Sequence, residues 1–209
     1  MATNDPESPS SRQAADAPYC PAPAAPGDPG LDPENLWVFG YGSLMWRPGF
    51  AFVETQPARL DGFNRDMCLL SIHYRGTHDA PGLVCGLMAG GACDGRAYRI
   101  AAVNADSALA YLDARELITD IYLPRHLPIR LASGRDVIAR VYVADTAHGQ
   151  FVGGWSDGKK VAHIVQGRGT EGRCLEYLRN LVQHLDELGI TDARMSALLR
   201  AALRAESAG

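Results

Sequence analysis

Leu36-Trp37-Val38-Phe39-Gly40-Tyr41-Gly42-Ser43-Leu44-Met45-Trp46-Arg47-Pro48 is an aromatic and branched run that breaks at glycines. Its first half predicts a buried strand and its second a glycine-rich loop. The texture upstream is different. Residues 1–35 hold eight of the 13 prolines, and one basic residue, Arg12, stands against six acids, a net of −5. Apart from Met1, Tyr19, Cys20 and Leu31 they carry no large apolar group, too little to offset the entropy of ordering the chain. Residues 1–35 are therefore expected to be a disordered, acidic Pro/Ala-rich tail, with an arm docked along the surface as the rival reading. Residues 36–209, with 19 basic and 18 acidic side chains, form one domain.

The whole chain has 209 residues, of which 46% are hydrophobic and 21% charged, so it can build a packed core and global disorder is excluded. A net charge of −4 and a sequence pI near 5.8 give no overall attraction to phosphate, which argues against a nucleic-acid partner. No run reaches the roughly 18–20 apolar residues of a membrane span, and the N-terminus lacks the basic patch and apolar stretch of a secretory signal. A soluble cytoplasmic protein without membrane contact is expected; the sequence leaves the oligomeric state open. The five cysteines, Cys20, Cys68, Cys85, Cys93 and Cys174, are odd in number and form no Cys-x-x-Cys pair. They suggest small buried side chains rather than disulfides or a zinc site. His73, His78 and Asp79 match no ligand spacing, so no metal is expected.

Downstream of the glycine loop, Met67–Ile72, Leu83–Met88 and Ala97–Ala102 are apolar runs separated by Gly, Asp and Pro, which predicts strands of one sheet or barrel. Pro128–Leu131 and Val137–Val143 flank Ser133-Gly134-Arg135, a hairpin signal. A helix capped by Asn104 or Ser107 is expected through about Thr119, and Leu175, Leu178, Leu181, Val182, Leu185 and Leu188 mark another over residues 172–188. Thr191 opens a last, alanine-rich helix. Strands with few helices make the class α+β, around a barrel-like sheet.

Two features carry chemistry. On a helix, Ala105, Leu109, Leu112 and Glu116 fall within one sector of roughly 60°, so a carboxylate sits in the apolar stripe. Burial raises the pKa of such a group, which suits a general base; the structural alternative is pairing with Arg115, Arg99 or another cation. Gly40-Tyr41-Gly42-Ser43-Leu44 lets the backbone turn sharply and present N–H groups to a carboxylate or carbonyl oxygen, or is simply a structural turn. Met45 replaces the third glycine of a dinucleotide loop, and Tyr41 and Met45 replace both glycines of a nucleophile elbow. Ser43 therefore reads as a hydrogen-bonding group and not a nucleophile.

Taken with Tyr74-Arg75-Gly76-Thr77, Tyr111-Leu112-Asp113-Ala114-Arg115-Glu116 and Leu175-Glu176-Tyr177-Leu178, in this order and spacing, the opening run closely resembles the ChaC-like family of γ-glutamylcyclotransferases over residues 36 to about 190. The resemblance implies a γ-glutamylcyclotransferase-like catalytic domain over residues 36–209, a small mixed β-barrel with packed helices. It also implies cleavage of glutathione to 5-oxoproline and cysteinylglycine, a small-molecule partner, and no cofactor or metal. It puts Glu116 on the catalytic glutamate and Val38, Phe39, Gly40, Tyr41, Gly42 and Ser43 on the substrate loop, which Leu44 completes. Tyr142 resembles a substrate tyrosine, or is a buried core residue; Arg75 is a candidate for the ligand's carboxylate, or a solvated loop arginine. One departure is Arg173-Cys174, where the resemblance leads one to expect His or Ser followed by Asn. The alternatives in function are a cyclotransferase for other γ-glutamyl amines, or a γ-glutamyl-ligand binding module without turnover.

Overall fold

The computed structural model describes residues 30–208. The expected tail, and Cys20 with it, lies outside the described residues up to position 29. From there Asp32 caps a 3₁₀ turn at Pro33–Asn35 by accepting from the Glu34 N–H at 2.9 Å. Strand β1, Leu36–Gly40, follows and is buried along its whole length. Its alternation divides two apolar clusters: Trp37 and Phe39 join the large core, whereas Leu36 and Val38 pack beneath a helix.

Two long strands, β2 (Glu54–Ser71) and β3 (Gly82–Ile100), pair antiparallel along nearly their full lengths. The runs Leu83–Met88 and Ala97–Ala102, expected as separate strands, lie mainly in β3, which ends at Ile100. Register shifts between Asp61 and Phe63 and between Met67 and Leu69 bend the ribbon, and Gly62, Gly90 and Gly91 take the positive φ that its far end needs. The hairpin at residues 131–136 is present: β4 (Tyr122–Leu131) pairs antiparallel with β5 (Asp136–Ala144), and Gly134 turns at φ +84°. β1 pairs antiparallel with β3 and parallel with β5 at Trp37↔Ala139 and Val38↔Arg140, which closes a barrel in the order β1-β3-β2-β4-β5.

Helix α1, Ala105–Glu116, buries Ala105, Ala108, Leu109 and Leu112 against Leu36, Val38, Leu44, Ile100 and Tyr142. It ends at Glu116, three residues earlier than Thr119. Helix α2, Asp157–Gln166, was not expected; Ser156 caps it and Val161 and Ile164 fix its inner face. After two short strands, β6 (Arg168–Gly169) and β7 (Gly172–Arg173), α3 runs Cys174–Glu187 and α4 Ala193–Ala208. The cap of α4 is Asp192, which accepts from the Met195 N–H at 3.0 Å, and not Thr191. These three helices pack on the large core, α2 through Val161 and Ile164, α3 through Leu175, Leu178, Leu181 and Leu185, and α4 through Met195 and Leu198. Cys68, Cys85, Cys93 and Cys174 are buried free thiols. No helix among the described residues is long and apolar enough to cross a membrane.

Candidate active site

β4 pairs with β2 at Ala58↔Leu131 and Arg59↔Arg130. Farther along the same strands, Leu70 and Ser71 of β2, Val84 of β3 and Tyr122 of β4 line a cleft of about 400 Å³. The end of α1, the β2–β3 loop and Tyr177 of α3 complete its wall. Its size falls within the roughly 300–1,000 Å³ of small-molecule sites.

Glu116 lies in this wall, as the last residue of α1 one turn beyond the fully buried Leu112. Its side chain is 16% exposed, and that exposure opens into the cleft. Burial raises its pKa above the ordinary carboxylate value, and the Arg115 guanidinium, with Nε 3.1 Å from Oε1, opposes the shift. Burial is the larger effect. The phenols of Tyr74, Tyr122 and Tyr177 line the same cleft, and burial, helped by the Glu116 charge, raises the pKa of each. Tyr122 donates its hydroxyl to the Cys85 carbonyl at 2.6 Å, and Tyr177 Oη accepts from the Cys85 N–H at 3.4 Å. Two of these rings are thus pinned to one residue of β3.

The glycine loop reaches the cleft through Ser43. The side chains of Val38, Phe39, Tyr41 and Leu44 turn into the apolar clusters, and the Tyr41 hydroxyl donates to the Tyr142 carbonyl at 2.6 Å. Gly40 and Gly42 sit in close quarters: a Cβ on Gly40 would stand 3.0 Å from Leu44 Cβ, and one on Gly42 would stand 3.2 Å from Tyr177 Oη. A 3₁₀ turn begins at Ser43, where the first N–H groups have no acceptor within the turn.

Arg75 lies in the cleft wall, its guanidinium 5.2 Å from the Tyr177 ring centroid and donating to the Glu171 carbonyl. Burial lowers its pKa. Arg47 is beside it, paired at 3.0 Å with the Glu171 carboxylate. Tyr142 takes the second of its two expected places, that of a buried core residue. It projects from the face of β5 under α1, where its hydroxyl donates to Asp113 Oδ1 at 2.5 Å beside Arg140, which pairs with the same oxygen at 2.6 Å. The strand's period of two turns it away from the cleft, and the β4 tyrosine Tyr122 lines the wall. The Arg173-Cys174 departure is accounted for locally: Cys174 Sγ donates to the Leu83 carbonyl at 3.0 Å, tying α3 to β3, and Arg173 pairs with Glu206.

Residues that the sequence left unnoticed are Arg47, Tyr122 and Glu171. Each lies on a different segment from Glu116, and no local pattern joins them to it. Among the described residues no cluster of His, Cys, Asp and Glu side chains is arranged to hold a metal ion.

The profile of ChaC-like proteins matches residues 36–205, which spans the barrel, α1 to α3 and most of α4. The chain belongs to the ChaC-like family. Within that family it is 36% identical over 168 residues to the glutathione-specific γ-glutamylcyclotransferase of Escherichia coli K12, covering 80% of this chain and 73% of that one. It is 30% identical over 176 residues to glutathione-specific γ-glutamylcyclotransferase 1 of Homo sapiens, covering 81% and 79%. A crystal structure of a γ-glutamyl cyclotransferase specific to glutathione from yeast shares the ChaC-like fold with a TM-score of 0.76, at 24% identity over 82% of this chain and 96% of that one.

Proposed function

We propose that this chain is a glutathione-specific γ-glutamylcyclotransferase that releases 5-oxoproline and cysteinylglycine. The observation that carries the reading is a desolvated carboxylate, Glu116, in the wall of a small-molecule cleft beside Ser43. The activity named for the family relatives points the same way.

A γ-glutamyl amide contains its own nucleophile. When the ligand is held folded, its α-amine reaches the γ-carbonyl, a C–N bond closes a five-membered ring, and the original amide C–N bond breaks. Such intramolecular orientation is worth about 7–11 kcal/mol, which removes the need for a Ser or Cys nucleophile. The proton balance closes on Glu116: ionised, it takes a proton from the attacking nitrogen and returns it to the departing amine. A raised pKa makes it the stronger base, and general base catalysis of this kind supplies about 10²- to 10⁴-fold. Ser43, which lines the cleft, and the N–H groups at the start of its turn are the proposed donors to the tetrahedral oxyanion. Arg75 and Arg47 offer the charge that holds a carboxylate of the peptide.

The test is mass spectrometry of the purified protein with glutathione and, separately, with γ-glutamyl amino acids. Release of 5-oxoproline and cysteinylglycine from glutathione, well above release from the amino acid derivatives, is expected. Faster turnover of the derivatives transfers the assignment to other γ-glutamyl amines; no product from either, with the fold intact, leaves a binding module.

A further inference from the structure

Arg115 holds more of this site than the pairing with its neighbour. Its guanidinium sits 3.1 Å through Nε from Glu116 Oε1, and Nη2 donates to Ser43 Oγ at 2.8 Å. Nη1 donates to the Arg47 carbonyl at 2.7 Å and to the Tyr111 hydroxyl at 3.2 Å. One planar cation thus ties the end of α1 to the loop after β1, two segments that are otherwise separate in the chain. An arginine only donates, so Ser43 Oγ accepts from it and the serine proton stays free for the ligand.

We propose that Arg115 is the positioning residue of the site, fixing the Glu116 carboxylate and polarising Ser43 as a donor to the reacting carbonyl. The inference rests on the proposed cyclotransferase reaction for its consequence in turnover, and on geometry alone for its effect on Glu116. The titratable and charged groups that line the cleft with Glu116 are Arg115 and Tyr111 from α1, Arg47 from the loop after β1, His73, Tyr74 and Arg75 from the β2–β3 loop, Tyr122 from β4, Glu171 from the β6–β7 turn and Tyr177 from α3. The phenols are neutral in the pH range where the carboxyl ionises, and Arg115 is the cation that stands at ion-pair distance from Glu116 and favours its ionised form.

The test compares the full chain with Arg115→Met, Arg115→Lys and Ser43→Ala. Carboxyl titration followed by ¹³C NMR of labelled glutamate, with Glu116→Gln to assign the signal, is read first because it needs no turnover. In Arg115→Met the Glu116 midpoint moves to higher pH, and the acid limb of kcat/KM moves with it. Arg115→Lys, which keeps charge but loses the planar fork, leaves the midpoint near the parent's while kcat falls at least tenfold. Ser43→Ala lowers kcat in the parent and adds little in Arg115→Met, since the two act together. An unmoved midpoint in a folded Arg115→Met protein, or full activity in Arg115→Lys, overturns the positioning role. Failure of the parent to turn over glutathione overturns the proposed reaction instead, with the titration still reading the geometry.

Discussion

For Glu116, the proposed base, the raised pKa dictates the expected pH behaviour. Its pKa is raised by burial, so at low pH it is protonated and unable to accept a proton. The value of kcat/KM therefore rises with pH through a midpoint above the ordinary 4.5 of a glutamate, and a profile flat from pH 4.5 upward contradicts this. Stability runs the other way. The folded state keeps its proton at pH values where the unfolded chain has lost it, so stability falls as pH rises from the unfolded pKa through the folded one. Glu116→Gln removes that dependence. Its melting temperature relative to the parent's should climb from acid to neutral pH; a constant difference sinks the idea. For Arg75→Ala, KM for glutathione should rise roughly 10- to 100-fold with little change in kcat, as loss of a charged hydrogen bond worth about 1.5–3 kcal/mol dictates. A loss confined to kcat argues against a binding role. Glu116 was legible because a carboxylate broke an apolar helical stripe. Tyr142 kept two readings, substrate tyrosine and core tyrosine, because sequence alternation separates two strand faces without saying which of them borders a cleft; the structure buries it in the core under α1.

At the scale of elements, the strand that opens the barrel and the 131–136 hairpin were legible from local signals: glycines after an aromatic run, and Ser133-Gly134 between branched residues. Helix α2 was not, because a lysine, Lys160, stands beside Val161 and Ile164 on its buried face. Lys160 is the reason that face is unusual. It is fully buried, its ammonium 2.6 Å from Asp66 Oδ2 and 3.3 Å from the Gly153 carbonyl. This pair fastens α2 to β2, and Arg194 of α4 reaches the same carboxylate at 3.3 Å. Lys160→Met strands the Asp66 charge and is expected to cost about 3–5 kcal/mol in urea unfolding, as for other broken buried pairs. A loss below about 1 kcal/mol, the size of an exposed pair, shows that Arg194 suffices. The length of β2 and β3 was hidden for a related reason: glycines at 62, 90 and 91 look like turns between short strands, yet they serve as bends within long ones.

At the scale of the whole molecule, closure of the barrel depends on β1 pairing with β5, a contact between Trp37 and Ala139 that no local window contains. The same non-local geometry builds the site, bringing Ser43, Tyr74, Glu116, Tyr122 and Glu171 from five segments to one cleft. Sequence pattern alone found the pieces with unusual chemistry, and the family resemblance supplied their common place. The family match begins at residue 36, so removal of residues 1–29 is expected to leave kcat/KM for glutathione within twofold of the full chain; a larger loss assigns the tail a part in catalysis. In the proposed reaction Glu116 moves a proton while the γ-glutamyl group closes on itself. The direct measurement is 5-oxoproline release by Glu116→Gln alongside calorimetric binding of glutathione to the same protein. The account predicts retained binding with turnover reduced by about 10²-fold or more; turnover within twofold of the parent contradicts it.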